Sequence, residues 1–219
     1  MALRLFLDSA CRTDWDQWLP TGLFHGVTTN PTLLRRAGEA CRLDALQAVY
    51  ERADRHGCQE IHLQTWGNSV TEACERGLAL SALDPRRVVV KVPIDRQGCQ
   101  TARQLISAGV RVTFTACYEP AQVLVAAALG ADYVAPYLGR ICDRERDGHR
   151  EVITMQQALT GVGSAVRVLV ASLRSKEDLP RLAAAGLNTF TISAVIAADL
   201  FSNTDTIAAA EVFERDAAG

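Results

Sequence analysis

A lysine within a run of valines is the strongest chemical signal in this sequence. Lys91 lies in "RVVVKVP", residues 87–93, where successive side chains point to opposite faces if the segment is a β-strand. Burial there disfavours the charged ammonium, which lowers the lysine pKa and leaves more free amine. Such an amine is the nucleophile that forms a Schiff base with a carbonyl compound. The alternative is a lysine that reaches solvent from the strand end or pairs with Asp8.

Other polar side chains lie at or near the ends of similar apolar runs, and their types complement an amine. They are Asp8 in the first run, Thr28 and Asn30 in the second, Gln64 in the third, Thr113 and Thr115 in the fifth, Tyr137 in the sixth and Ser172 in the seventh. Structural roles exist for single members, since Asp8 could cap a helix and Gln64 could satisfy buried backbone groups. Their convergence on one volume predicts a catalytic site instead.

The runs that carry these residues read as strands separated by helices. Eight short apolar segments cover residues 3–8, 26–30, 60–65, 87–93, 111–116, 132–138, 167–172 and 189–194. Segments with helical spacing lie between most of them, including 44–57, 69–84, 100–109, 119–131 and 176–186. Glycines 57, 109, 130 and 186 stand where these helices should end. Alternating strands and helices predict βαβ units and a parallel sheet.

The strand segments are almost continuously apolar, as expected when helices cover a parallel sheet. Eight βα units in 219 residues predict an α/β fold with one domain, residues 1–219, built as a (β/α)8 or TIM barrel with a C-terminal helix at about 203–216. Reactive groups in such barrels collect at the carboxyl ends of the strands. An open doubly wound sheet is the alternative, but no G-x-G-x-x-G follows the first strand.

Composition limits the partners. A net charge of −2 gives no reason to expect nucleic acid or an anionic membrane as a partner. No segment offers about 18 uncharged apolar residues, and the apolar stretch at the start is too short for a signal peptide, so we expect no membrane partner and a cytoplasmic location. Seven cysteines without a C-x-x-C pair predict neither disulfides nor zinc.

Several motifs resemble those of a known family. "FLDSA", "GVTTNPTLL", "VVVKVP", "YVAPYLGR" and "VLVASLR" occur in the order and spacing of the small branch of the transaldolase family, which includes fructose-6-phosphate aldolases. The resemblance runs from about Leu5 to Ile192. It implies a class I aldolase that needs no metal and no organic cofactor, acts on sugar phosphates and forms homo-oligomers, in this branch pentamer-based decamers.

The resemblance also implies roles for individual residues. Lys91 would form the Schiff base and Asp8 would transfer protons beside the reacting carbons. Asn30 and Thr28 would contact substrate hydroxyls. Phosphate recognition falls to Arg140, Ser172 and Arg174. We further expect Gln64, Thr115 and Tyr137 to hold the water that shuttles protons when the Schiff base forms and hydrolyses.

Two activities share this chemistry. Gln64, Tyr137 and Ala135 are the residues typical of fructose-6-phosphate aldolases, which release dihydroxyacetone and glyceraldehyde 3-phosphate from fructose 6-phosphate. Arg174 is typical of transaldolases, which transfer the dihydroxyacetone unit between sugar phosphates in the pentose phosphate pathway, and Thr113 matches neither group. We therefore expect the aldolase, with the transaldolase as the alternative. Trp66 has no counterpart that gives it a role, and we expect His62 to be a buried, hydrogen-bonded structural histidine.

Two rival classes are weaker. A sugar-phosphate sensor on the same barrel would need no reactive lysine. A metal-dependent aldolase would need a ligand set, and the histidines show no H-x-H or H-x-x-E arrangement.

Overall fold

Eight parallel strands close into a barrel in the computed structural model, which describes residues 2–219. Strand neighbours follow the order β7-β6-β5-β4-β3-β2-β1-β8, and a bridge between Val170 and Phe190 joins the two ends. The strands are β1 Arg4–Asp8, β2 Gly26–Thr28, β3 Glu60–Gln64, β4 Val88–Pro93, β5 Val112–Cys117, β6 Tyr133–Pro136, β7 Arg167–Val168 and β8 Thr189–Ile192. The predicted (β/α)8 TIM barrel is confirmed.

Helices surround the barrel and connect the strands. They are α1 Arg12–Trp18, α2 Pro31–Arg36, α3 Leu43–Arg55, α4 Val70–Ser81, α5 Arg96–Ser107, α6 Gln122–Leu129, α7 Leu138–Cys142, α8 Gly148–Gly161, α9 Asp178–Ala184, α10 Ala194–Asp199 and α11 Thr204–Ala217, with a short 3-10 turn at Leu19–Thr21. Glycines 57, 109, 130 and 186 adopt positive φ angles between 72° and 92° after their helices, as predicted for helix ends. No helix in residues 2–219 is long and apolar enough to span a membrane.

Strand β4 shows how the sequence alternation positions the site. Val88, Val90 and Val92 belong to the core between the sheet and the helices. Val89 belongs to a small second cluster with Phe6, Tyr133, Ala135 and Leu169. The two clusters are separate because alternate side chains of a barrel strand point outward and inward. Lys91, two residues after Val89, therefore points into the barrel.

The seventh strand is shorter than the predicted 167–172. Its continuation donates hydrogen bonds alternately to the two neighbours: Leu169 and Ala171 to β6 at 2.9 Å, and Val170 to the Thr189 carbonyl at 3.0 Å. The ladder then stops at Ser172, whose φ of +59° lies in the left-handed region that few residues other than glycine adopt. The sheet ends there because the chain turns sharply toward the mouth of the barrel.

The helix predicted at 100–109 begins four residues earlier, at Arg96. Its N-cap is Asp95, whose side chain accepts the Gly98 N–H at 2.6 Å. A Cβ on Gly98 would lie 1.8 Å from the Pro93 carbonyl oxygen, so this first turn packs directly on the end of β4. The glycine permits that approach and keeps the end of β4 close to the start of α5.

Candidate active site

Lys91 is buried inside the barrel, with 5% of its surface exposed. Its Nζ donates a hydrogen bond to the Thr29 carbonyl at 2.7 Å, so the side chain crosses the inner face of β3 to reach the end of β2. Burial lowers the pKa of Lys91 below its ordinary value, and the nearby charge of Asp8 opposes that shift in part. The arrangement favours the neutral, nucleophilic amine.

Asp8, at the end of β1, is held by a chain of hydroxyl groups. Thr28 donates its hydroxyl hydrogen to Asp8 Oδ1 at 2.7 Å. The Thr28 hydroxyl lies 2.6 Å from that of Thr191, and because its own hydrogen is engaged, Thr191 must be the donor. The chain from Thr191 to Thr28 to Asp8 fixes the carboxylate and leaves its other oxygen for a ligand.

Tyr137 follows β6 and supplies a phenol to the same space. Its hydroxyl lies 2.8 Å from that of Thr115, which is buried. Burial raises the pKa of Tyr137, the bond to Thr115 lowers it, and the net shift is upward. The phenol therefore stays protonated near neutral pH and can donate a hydrogen bond.

A cavity of about 400 Å³ opens at the carboxyl ends of the strands. Eight of the ten site residues predicted from the sequence line it: Asp8, Thr28, Asn30, Lys91, Tyr137, Arg140, Ser172 and Arg174. Thr115 lies behind Tyr137. Gln64 instead lines a neighbouring cavity of about 320 Å³ with Trp66 and Pro93. The three residues expected to hold one water are thus split, with Thr115 and Tyr137 in direct contact and Gln64 in the adjoining space.

The three residues expected to recognise phosphate, Arg140, Ser172 and Arg174, line the same cavity. Gly139 donates its N–H to the Ser172 carbonyl at 2.8 Å, which ties the turn after β6 to the turn after β7. A Cβ on Gly139 would lie 2.4 Å from that same oxygen, so only glycine fits without a shift of the backbone. Arg174 pairs with Asp143 at 2.8 Å, and the Arg140 guanidinium lies 4.9 Å from the Tyr137 ring centre. Two guanidinium groups therefore face one corner of the cavity.

Sequence reasoning missed five polar residues at this site. Thr29 holds the lysine, Thr191 orients Thr28, and Thr32, Arg36 and Ser193 line the cavity. The signal for Thr191 and Ser193 was their position in the eighth strand segment, since the predicted site drew on the first seven segments alone.

His62 and Thr113 lie below the lysine and form a bonded pair, with His62 Nδ1 2.9 Å from the Thr113 hydroxyl. His62 is fully buried, and burial lowers its pKa to about 4 against the opposing effect of Glu60. Glu60 accepts bonds from Arg4 and Arg111, both at 2.9 Å. His62 is therefore neutral and lies between Thr113 and the charged group formed by Glu60, Arg4 and Arg111.

Trp66 packs away from the main cavity. The Arg76 guanidinium lies 5.3 Å from its ring centre and donates to its carbonyl at 2.8 Å.

Within residues 2–219 no three His, Cys, Asp or Glu side chains cluster closely enough to hold a metal, and all seven cysteines are free.

Lys91→Met is expected to raise thermal stability at pH values below the lowered pKa of Lys91. Because burial lowers the pKa of Lys91 below 10.5, the unfolded chain binds more protons at this side chain between the two pKa values, and stability from this site rises with pH across that window. Below the window the folded protein bears a buried ammonium. The gain in Tm should be largest below this window and shrink toward pH 10.5; each kcal/mol corresponds to roughly 2–4 °C at this size. Calorimetry across pH checks this, and a Tm difference that does not vary with pH contradicts it.

The comparisons with known proteins agree with this geometry. Residues 5–218 match the family described as Transaldolase/Fructose-6-phosphate aldolase. A probable transaldolase of Caulobacter sp. (strain K31) is 31% identical over 217 residues, 99% of this chain and 97% of the relative. A probable transaldolase of Kosmotoga olearia is 31% identical over 214 residues, 98% and 95% of the two chains, and one of Sorangium cellulosum is 32% identical over 190 residues, 87% and 85%. The chain belongs to the Transaldolase/Fructose-6-phosphate aldolase family and is an enzyme of the aldolase/transaldolase type.

Proposed function

We propose that the protein is a class I, Schiff-base aldolase that cleaves ketose phosphates, with fructose 6-phosphate as substrate. One observation carries the proposal: the buried amine of Lys91, the carboxylate of Asp8 and the phenol of Tyr137 share one cavity. Guanidinium groups at its rim suit a phosphate, whose oxygens accept paired N–H bonds. The amine would attack the ketone at one end while the phosphate is held at the other.

The first step forms the Schiff base. The Lys91 nitrogen attacks the ketone carbon, and the carbonyl oxygen takes up a proton to give a carbinolamine. Loss of that oxygen as water leaves a protonated iminium. Tyr137 stays protonated and is bonded to Thr115, so it is suited to donate a hydrogen bond to the oxygen that leaves.

The second step breaks the bond between C3 and C4. Asp8 takes the proton of the C4 hydroxyl as this bond breaks, and the bonding electrons move into the iminium, giving an enamine and glyceraldehyde 3-phosphate. The Thr28 hydroxyl holds one oxygen of Asp8, which directs the other toward the substrate. Protonation of the enamine and hydrolysis then release dihydroxyacetone and free Lys91.

The fate of the enamine separates the two candidate activities. Tyr137 and Ala135 line the cavity and support hydrolysis, because a phenol beside the enamine can donate a proton and orient water. Gln64, the third residue typical of the aldolases, lines the neighbouring cavity. Transfer to an acceptor aldose phosphate is the second candidate, and the names of the relatives, each a probable transaldolase, favour it. Both candidates use Lys91 and Asp8 identically.

Release of glyceraldehyde 3-phosphate from fructose 6-phosphate distinguishes them. The purified protein is assayed first without an acceptor and then with erythrose 4-phosphate. The aldolase predicts steady release without the acceptor. Release that requires erythrose 4-phosphate contradicts the aldolase and supports the transaldolase.

Arg36→Gln is expected to raise the KM for fructose 6-phosphate about 3-fold to 10-fold, because Arg36 lines the cavity and has no acceptor among the residues the structure describes. Arg35→Gln is the matched control, since Arg35 is also exposed but does not line the cavity. Steady-state kinetics with phosphorylated and unphosphorylated substrates provide the check. Equal effects of the two substitutions, or equal effects on both substrate types, would argue against phosphate recognition by Arg36.

We also propose that the protein is a homo-oligomer in which a second copy covers α11. This helix has no buried residue, and Phe213 is 70% exposed. A 14-residue helix without a buried side chain is marginal in water, so its apolar side chains need a partner surface. Light scattering should give the mass of an oligomer for the wild-type protein and a smaller mass for Phe213→Glu; a monomeric wild type contradicts the proposal. The cytoplasmic location and the single-domain extent expected from the sequence stay predictions.

A further inference from the structure

We propose that Thr29 is a positioning residue whose backbone carbonyl holds the Lys91 nitrogen both before and after the Schiff base forms, and so fixes the orientation of the iminium. The inference rests on the Schiff-base chemistry proposed above. It begins from the 2.7 Å bond from Lys91 Nζ to the Thr29 carbonyl. Nζ has no second hydrogen bond to any residue in 2–219.

Thr29, which directly follows β2, is held by two hydrogen bonds that it donates to the His62 carbonyl. Its N–H donates to the His62 carbonyl at 3.0 Å, and its hydroxyl donates to the same oxygen at 3.1 Å. Thr29 is fully buried, so no water competes for these bonds. The N–H bond extends the pairing of β2 with β3, and the hydroxyl bond adds a restraint that a residue without a hydroxyl lacks.

The other side of the carbonyl is anchored by the start of α2. Asn30 is the N-cap of this helix, and its side chain accepts the Leu33 N–H at 3.0 Å. Pro31 follows, and a proline restricts the backbone of the residue before it to extended conformations. Asn30 is extended, with φ of −160° and ψ of 166°. The peptide that carries the Thr29 carbonyl is therefore fixed at both ends.

The hydrogens on nitrogen make this fixed carbonyl relevant to the reaction. A neutral lysine amine has two hydrogens and one lone pair, so one N–H can bond to Thr29 while the lone pair attacks the ketone carbon. The carbinolamine nitrogen keeps one hydrogen. When water leaves, the nitrogen lone pair becomes the second bond of the iminium, which still carries that hydrogen. A single acceptor at a fixed position can therefore hold the nitrogen throughout.

Holding the iminium N–H limits how the substrate can lie. The iminium is planar, so an N–H directed at Thr29 determines which side of the C=N bond faces the end of β2. Asp8 pairs with Thr28 in the register of β1 and β2, and Thr29 is the next residue after Thr28. The backbone pairing of these two strands therefore fixes the distance between the Thr29 carbonyl, which accepts the N–H, and Asp8, the proposed base. The bond to Thr29 would keep C3 and C4 beside Asp8 and present one face of the enamine to an incoming aldehyde.

Substitution of the Thr29 hydroxyl tests the inference, with Thr29→Val as the probe and Thr29→Ser as the matched control. Valine keeps the branched shape but removes the bond to the His62 carbonyl, whereas serine keeps that bond. We expect Thr29→Val to lower kcat about 10-fold to 100-fold, as a small misplacement of reacting groups does, with KM for fructose 6-phosphate within about twofold of wild type. Thr29→Ser should recover most of the loss. In the reverse reaction, Thr29→Val should also form the new bond with lower stereoselectivity.

Three results would overturn the inference: wild-type kcat in Thr29→Val, no recovery in Thr29→Ser while both variants keep the wild-type Tm, or a rise in KM alone. If Thr29→Val does not fold, Thr29→Ala replaces it in the same comparison. Borohydride trapping of the wild-type protein separates this inference from the proposed function. Trapping at Lys91 together with an unaffected Thr29→Val variant rejects the role of Thr29, whereas no trapping in the wild type rejects the Schiff base itself.

Discussion

Lys91→Met is expected to abolish turnover, with a loss of at least about 10⁴-fold in kcat and an intact fold. The loss is large because the covalent intermediate depends on this amine, and removal of a covalent nucleophile is among the most damaging changes to an enzyme. The fold should survive because methionine is unbranched, fits irregular interiors and removes a buried polar group. The measurement is kcat on fructose 6-phosphate beside a thermal unfolding curve.

The chain offers a close control for this substitution. The sequence contains two lysines, and the second, Lys176, is half-buried, lies outside the cavity and donates to the Asp199 carbonyl at 3.0 Å. Lys176→Met should leave kcat within about twofold of wild type, as expected of a surface change. A folded Lys91→Met protein whose kcat falls by less than about 10³-fold would contradict the Schiff-base account.

Asp8→Asn is the second large effect, an expected loss of about 10²–10⁴-fold in kcat. Asparagine has nearly the same shape and can still accept the Thr28 hydroxyl hydrogen, but it cannot take the proton of the C4 hydroxyl. Lys91 should still form the Schiff base, so borohydride should still trap the substrate although cleavage has slowed.

Asp14→Asn is the control for loss of a nearby negative charge. Asp14 accepts the Ser9 hydroxyl hydrogen at 2.5 Å and lines a smaller adjoining cavity instead of the main one. A kcat for Asp8→Asn within tenfold of wild type, or equal losses in the two variants, would argue against Asp8 as the base.

The sequence was sufficient to predict the barrel and to predict most of the residues that line the candidate site. Alternation in "RVVVKVP" predicted that Lys91 shares the inward face with Val89, and the two separate apolar clusters agree. Strand ends were informative because a parallel barrel brings all of them to one rim. Asp8, Asn30 and Tyr137 could thus be predicted to face one volume although they are far apart in the chain.

The features that the sequence did not predict depend on helix orientation, on hydrogen-bond direction and on loops. Arg36 reaches the cavity because the Asn30 cap sets the direction of α2, and periodicity predicts a helix without its tilt. Thr29 acts through its backbone carbonyl, which residue type does not report. Gln64 pairs with Lys91 in the register of β3 and β4, as expected for a residue that faces inward. It nevertheless lines the neighbouring cavity together with Trp66, where the loop after β3 packs against Arg76 of α4.

The most direct test of the central claim is to trap the intermediate with borohydride and map the modified residue by mass spectrometry. Borohydride delivers hydride to the iminium carbon and converts the C=N bond into a stable secondary amine. With two lysines in the chain, the assignment is simple. The account predicts substrate-dependent loss of activity and one adduct, on the peptide that contains Lys91. Activity that survives borohydride with substrate present, or an adduct on Lys176 instead, would contradict it.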